Sequence, residues 1–215
     1  MGQLIRFDPD CRRCPRIVAH LDQVRQKFPE YHSRPVQPFG IENPKLLIVG
    51  LGPGMHGANA TGRPFTGDHA GILLYRTLFE FGFSNMAEVK NRNDGLQLID
   101  CRITNAVKCL PPGNKPTPVE IRTCNCFLTA ELTEYTSGQV ILALGRVAHE
   151  AILKSLAYKH SDFVFSHGAV HKVQSDRWLV DSFHCSRYNT QTRRLTEAMF
   201  QNIFYKIHEL LYLTN

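Results

Sequence analysis

Three short stretches carry side chains and backbone suited to chemistry on a bound ligand. The first runs from Gly50 to Asp68, Gly-Leu-Gly-Pro-Gly-Met-His-Gly-Ala-Asn-Ala-Thr-Gly-Arg-Pro-Phe-Thr-Gly-Asp, with six glycines in nineteen residues. Such a loop lets backbone amides approach a ligand closely. It lacks the Gly-Lys-Ser/Thr ending of a P-loop and does not match the dinucleotide fingerprint, which disfavours nucleoside triphosphates. The second stretch is Thr104-Asn105-Ala106-Val107-Lys108-Cys109, and the third is Ser182-Phe183-His184-Cys185-Ser186-Arg187-Tyr188-Asn189-Thr190. Between them they supply an amide, an imidazole and aromatic rings.

The cysteines form a second constellation: Cys11-x-x-Cys14, then Cys109, then Cys124 or Cys126. Seven cysteines in a chain with no sign of export argue against a disulfide framework. A CxxC pair joined by two distant cysteines suits zinc or an iron-sulfur cluster, and spacing does not choose between them. Cys101, Cys126 and Cys185 read as free thiols.

The elements that must position these groups follow from the apolar pattern. Short runs rich in β-branched residues predict strands over Lys45 to Leu51, Leu98 to Ile103, Gln139 to Leu144 and Trp178 to Asp181. Helical spacing predicts helices over Ile72 to Phe81, Pro118 to Tyr135, Arg146 to Ser155 and Leu195 to Leu213. Thr117-Pro118-x-Glu120 is a helix start, since the threonine oxygen can cap free amides and Pro118 sits where no amide partner is needed. Alternation of strand and helix argues for a parallel sheet covered by helices. Loops at the carboxyl ends of such strands carry function, which is where all three stretches fall.

At 215 residues the chain suits one domain spanning 1–215. Apolar content of 43% and charged content of 20% are those of a globular protein. No apolar run approaches the ~20 residues of a membrane span, and Met1 to Cys14 lacks an apolar signal core, so a cytoplasmic protein is expected. A formal charge of +6 favours a polyanionic partner over a solvated basic face only because arginines cluster beside the motifs, at Arg12, Arg13 and Arg16 and at Arg187, Arg193 and Arg194.

The three stretches together resemble the thermostable-type uracil-DNA glycosylases, and among them the B-type group called family 5. The first loop is similar to that group's Gly-Leu-Ala-Pro…Thr-Gly-Arg-x-Phe-Thr-Gly-Asp, Asn105 to Pro112 to its Asn-Ala-Val-Lys-Cys-x-Pro-Pro, and His184 to Thr196 to its final His-Pro-Ser motif. The resemblance covers Cys11 to Leu210. It implies an α/β/α sandwich with a small, mainly parallel four-stranded sheet, acting as a monomer on DNA that holds uracil or another deaminated base. It also implies a [4Fe-4S] cluster, with zinc the less favoured occupant, on Cys11, Cys14, Cys109 and Cys124. The family's helix reads Cys-x-Pro-Phe-Leu, which aligns its cysteine with Cys124 and its proline with Cys126.

The residues make chemical sense of this. Flipping a base costs a few kcal/mol, and stacking on an aromatic face returns ~1–3 kcal/mol. Phe65 is the candidate face, against the alternative of a core phenylalanine. Asn105 carries the donor and acceptor that reading a uracil edge requires, against the alternative of a turn cap. His184 is placed to donate to the uracil oxygen as charge develops on the departing base. Gly52 lines the base pocket where other members of the superfamily hold a carboxylate or amide that positions water. The resemblance shifts that task to Asn59, with His56 and Asp68 competing. Arg187 and Tyr188 are candidate phosphate or duplex contacts, and His167-Gly168-Ala169 resembles a stretch near the family's site. His149, His160 and His171 show no metal-ligand spacing and are assigned no chemistry.

The expected activity is therefore monofunctional hydrolysis of the base–sugar bond. The small residues Gly52 and Ala58 predict a base range that includes hypoxanthine. Gly52, together with Cys185 where the family has proline, motivates a rival: a catalytically weak DNA-binding or damage-sensing protein. Covalent capture of an abasic sugar by histidine, known in a sister group, needs a basic insertion that the first loop lacks.

Overall fold

The computed structural model describes residues 6–134, 139–174 and 176–212. In chain order they form α1 (Pro15–Lys27), β1 (Phe39–Gly40), β2 (Leu46–Gly50), α2 (Ala58–Thr61), α3 (His69–Glu80), β3 (Cys101–Asn105), α4 (Pro118–Glu134), β4 (Gln139–Leu144), α5 (Arg146–Ser155), β5 (Val170–Gln174), β6 (Arg177–Ser182), α6 (Arg187–Gln191) and α7 (Glu197–Tyr212).

The strands make one sheet in the order β1-β3-β2-β4-β6-β5. The inner four, β3, β2, β4 and β6, are parallel, and they are the four that the apolar runs predict. The expected four-stranded sheet is thus corrected to six, because β1 and β5 add antiparallel edges. Neither edge could carry an apolar signal. β1 is two residues long, and Val-His-Lys-Val-Gln in β5 buries only Val173. By contrast, β2 and β4 are buried along their whole length, as strands covered on both faces must be.

Alternation along the strands divides the core in two. Leu46, Ile48, Val140, Leu142 and Val180 face α3 and α7, meeting Leu74, Leu78, Phe200 and Phe204. Leu47, Val49, Ile141, Ala143 and Leu179 face α4 and α5, meeting Leu128, Ala148 and Ile152. This is the expected α/β/α sandwich. A smaller apolar cluster packs Ile17, Leu21 and Val24 of α1 against Val107, Leu110, Cys124 and Phe127. No sequence signal had placed α1.

Element ends shift for local reasons. α3 starts at His69 rather than Ile72 because Asp68 caps it, its Oδ1 accepting from the Gly71 amide at 2.9 Å. β3 starts at Cys101 rather than Leu98, since Leu98 bridges instead to Ser84. The helix start predicted at Thr117 is present, and Glu120 completes it as a capping box: the Glu120 amide donates to Thr117 Oγ1, and the Thr117 amide donates to Glu120 Oε2. Tyr135 and Leu213, the predicted ends of α4 and α7, lie outside the described residues, as do residues 1–5 of the amino-terminal stretch. Among the described residues no helix is long and apolar enough to cross a membrane.

Candidate active site

Parallel inner strands bring their carboxyl ends to one edge of the sheet, and a cavity of about 480 Å³ opens there. Leu51 and Gly52 follow β2, Asn105 ends β3, Gly145 and Arg146 follow β4, and His184 follows β6. All line this cavity, with Phe65, Asp68 and Arg187. The structure thus gathers Gly52, Phe65, Asn105, His184 and Arg187 around one space. Tyr188, on the short α6 beside it, is 69% exposed.

Phe65 is held in an unusual way. Its φ is +53°, a conformation that a bulky residue adopts only when its surroundings enforce it. The Tyr75 hydroxyl donates to Pro64 O at 2.7 Å, and the Phe65 carbonyl lies so close to Gly71 that a Cβ there would sit 1.9 Å from it. Arg63, almost fully buried, pairs bidentately with Asp94 at 2.8 and 2.7 Å and donates to Thr66 Oγ1 at 2.8 Å. The loop around Phe65 is therefore fixed before any ligand arrives. Phe65 belongs to the apolar core cluster, so the alternative reading of a core phenylalanine is partly met, yet it also walls the cavity.

Asn105 is 3% exposed, and its side-chain amide makes no hydrogen bond to any described residue. Its donor and acceptor are available to a ligand. A Cβ on Gly50 would stand 2.5 Å from Asn105 Oδ1 and 2.9 Å from Phe65 Cζ, so glycine there lets the amide and the ring pack together. His184 is held through its carbonyl, which accepts from Asn189 Nδ2 at 2.8 Å. Burial lowers its pKa to about 4, which keeps the imidazole neutral near pH 7. Asp68 lines the cavity with its pKa raised, chiefly by burial and against the pull of the Gly71 and Ala70 amides. Only Oδ1 is engaged by the helix cap; Oδ2 lies near Gly54 and Gly57.

Asn59 requires a correction. It is fully buried and does not line the cavity; its Nδ2 donates to Ser33 Oγ at 3.4 Å. One helical step in α2 turns Ala58 toward the cavity and Asn59 away from it. His56 is likewise turned aside, its Nδ1 2.9 Å from the Tyr31 hydroxyl. Asp68 is the polar candidate that reaches the wall. Sequence reasoning missed His69, Asn114 and Arg146, which also line the cavity. His69 starts a helix after the first motif loop, and Arg146 starts one just past the carboxyl end of β4, positions that could have marked them. Asn114 gave no signal, because it depends on a 3₁₀ turn in which its own φ is +56°. His167 lies behind the wall, its Nδ1 accepting from the Phe183 amide at 3.1 Å.

On the far side of the β2–β3 loops, Cys11, Cys14, Cys109 and Cys124 line a small apolar cavity with Ile17, Val18, Val107 and Phe127. Arg16 of α1 pairs bidentately with Glu120 of α4, at 2.8 and 2.6 Å, closing the amino terminus over it. Burial, with the neighbouring sulfurs, raises the thiol pKa values of Cys14, Cys109 and Cys124, the last to about 11. All seven cysteines are free. Cys126 is not part of this lining and accepts instead from Arg13 Nη1 at 3.4 Å. Among the described residues, the one group of three or more candidate ligand atoms gathered within 4.8 Å of one another contains no cysteine.

Comparison with known proteins agrees with this architecture. The model of the uracil DNA glycosylase superfamily matches residues 37–208. The chain is similar to a type-5 uracil-DNA glycosylase of Thermus thermophilus, 43% identical over 93% of each chain. It is also similar to those of Mycobacterium leprae, 42% identical over 90% of this chain and 88% of the other, and Pyrobaculum aerophilum, 40% identical over 87% and 83%. A glycine-rich loop, an asparagine and a neutral histidine converge at one sheet edge, beside four clustered thiols, and the likeness spans nearly the whole chain: this protein belongs to the uracil DNA glycosylase superfamily, among its type-5 uracil-DNA glycosylases.

Proposed function

We propose that this protein excises uracil from DNA by hydrolysing the N-glycosidic bond, leaving an abasic site. The observation that carries the reading is the convergence of Phe65, Asn105 and His184 on one cavity large enough for a flipped base. Asn105 reads the uracil edge with its open amide. His184, neutral, donates an N–H to the uracil oxygen on which negative charge develops. Asp68 offers Oδ2 to the attacking water or to the cationic sugar, the task first assigned to Asn59, and Asn114 adds an amide to the same wall. Arg187 and Tyr188 stand at the mouth to meet phosphate or duplex. With Gly52 and Ala58 both lining it, the cavity also admits hypoxanthine. Absence of hypoxanthine release at high enzyme concentration removes that part of the reading.

Cys11, Cys14, Cys109 and Cys124 would hold a [4Fe-4S] cluster. Four cysteines lining one cavity with no histidine or carboxylate among its walls match the all-thiolate ligand set of such a cluster. Such a group supplies no step here; it ties the amino terminus to the loop after Asn105. Seven cysteines with no disulfide among them support a reducing, cytoplasmic setting. Because one copy of one domain, 1–215, contains every group named, the protein is read as acting as a monomer.

An end-labelled duplex with one uracil opposite guanine, treated with enzyme and then alkali, tests the activity. Scission by the wild type that falls in His184→Ala and Asn105→Ala supports the site. Retained DNA binding without scission on any damaged base would favour the damage-sensing alternative.

A further inference from the structure

On the α4/α5 side of the sheet, three residues from three elements converge: His149 of α5, His171 of β5 and Asp181 of β6. Their ligand atoms lie within 4.8 Å of one another. Asp181 is fully buried, His149 is 2% exposed and His171 16% exposed at the side chain. His149 Nδ1 stands 2.7 Å from Asp181 Oδ1, and its Nε2 stands 2.9 Å from the carbonyl oxygen of Phe163. Both partners of that ring are acceptors, and a neutral imidazole has a single N–H. With Nε2–H given to Phe163, the lone pair of Nδ1 faces a carboxylate; a proton fills that 2.7 Å gap as it stands, and a zinc ion fits once Nδ1 and Oδ1 part by about 0.7 Å.

A second proton would meet that need for His149 alone. The placement of His171 points to more. Its Nε2 comes to 3.3 Å from Asp181 Oδ2, longer than a good N–H···O bond. Two donors bound to one zinc ion at ~2.1 Å stand about 3.4 Å apart, so the His171–Asp181 spacing is already that of co-ligands. The Phe163 contact is the outer hydrogen bond that fixes the tautomer of a metal-bound histidine. Phe163 and Phe165 pack their rings against the two imidazoles and shield the site.

We propose that His149, His171 and Asp181 form a divalent-cation site suited to Zn²⁺, separate from the four-thiol cavity. Neutral imidazoles and one carboxylate match a borderline ion, and three protein ligands leave a fourth position for water. The exposed edge of His171 provides the entry path. Asp181 lies three residues before His184, so the ion braces the strand that carries it.

The test uses the full chain with its cysteine site loaded. After removal of loosely held metal, ZnCl₂ is titrated while bound zinc and thermal melting are followed. Wild type is expected to take up one equivalent and melt at higher temperature. His171→Ala, at a partly exposed position on an edge strand, is expected to weaken zinc by more than the roughly 10–100-fold that loss of an outer partner costs. His171→Cys guards against a misfolded alanine variant: with Co²⁺ it is expected to show a thiolate-to-cobalt band absent from wild type. Zinc uptake that is indifferent to His171→Ala overturns the proposal, as does no uptake by wild type and no cobalt band in His171→Cys.

Discussion

The rings of Phe65 and His184 lie face to face, their centroids 5.9 Å apart and their planes 26° from parallel. A base sandwiched between them would need about 7 Å, two contact distances of ~3.5 Å. Uracil must therefore use the part of the Phe65 face that His184 leaves uncovered and present its edge to the imidazole. The residue that stacks and the residue that donates are thus set at fixed relative positions by their own contact.

Phe65→Ala removes the stacking face and is expected to lower single-turnover excision about tenfold to a hundredfold, the equivalent of ~1–3 kcal/mol. Phe65→Tyr should keep most of the rate. An alanine variant as fast as wild type would show that the ring serves the core alone.

Asp68→Asn separates stability from activity. Asparagine caps a helix as well as aspartate does, and it removes a buried charge, so melting temperature should hold or rise. Excision should fall by about 10²–10⁴-fold. Because burial raises the Asp68 pKa, the wild-type pH–rate profile should lose activity on the acid side at an apparent pKa above 3.8, and Asp68→Asn should lack that limb. An identical limb in both would assign it elsewhere.

Gly50→Ala places a Cβ against both Asn105 and Phe65 without touching any ionisable group. Displacement of reading and stacking groups by about 1 Å is worth roughly 10²-fold in rate. A rate loss of that size, at unchanged DNA affinity, is the expected result of a kinetic comparison.

His184 contributes to acid sensitivity through its lowered pKa. In the unfolded chain it binds a proton near 6.5, and in the folded protein only near 4. Between these values the unfolded state holds more protons, so stability falls as pH drops from 6.5 toward 4 and is unaffected above. Denaturant titrations of wild type and His184→Gln should diverge in that window and run parallel above it.

Cys124→Ala should abolish visible absorption and iron content, whereas Cys126→Ala should leave both intact, since Cys126 is not part of the cavity lining. The reverse pattern would reassign the fourth ligand.

Much of this arrangement is legible in the residues alone. Leu46 to Val49 and Val140 to Leu144 read as buried strands because both faces are covered, and their ends place Gly52, Asn105 and His184 together. The edge strands were silent because pairing on one side leaves polar residues such as His171 and Lys172 in β5. α1 buries a stripe of three residues, too narrow to stand out among its charges. Asn59 and Asp68 are both polar residues of one loop, and only the direction of the α2 turn decides which meets the cavity. His149, His171 and Asp181 come from separate elements, so no spacing could announce them.

The flanks of the sheet have a consequence for how this molecule meets long polymers. β1 offers two residues to a neighbour, while β5 carries Lys172 and breaks register between Lys172 and Gln174. Charge and a bulge on a flank discourage another strand from adding on. Lateral growth into fibres or swapped dimers is thereby disfavoured, and the cavity proposed to take a flipped base opens away from both flanks, at the rim where the four inner strands finish.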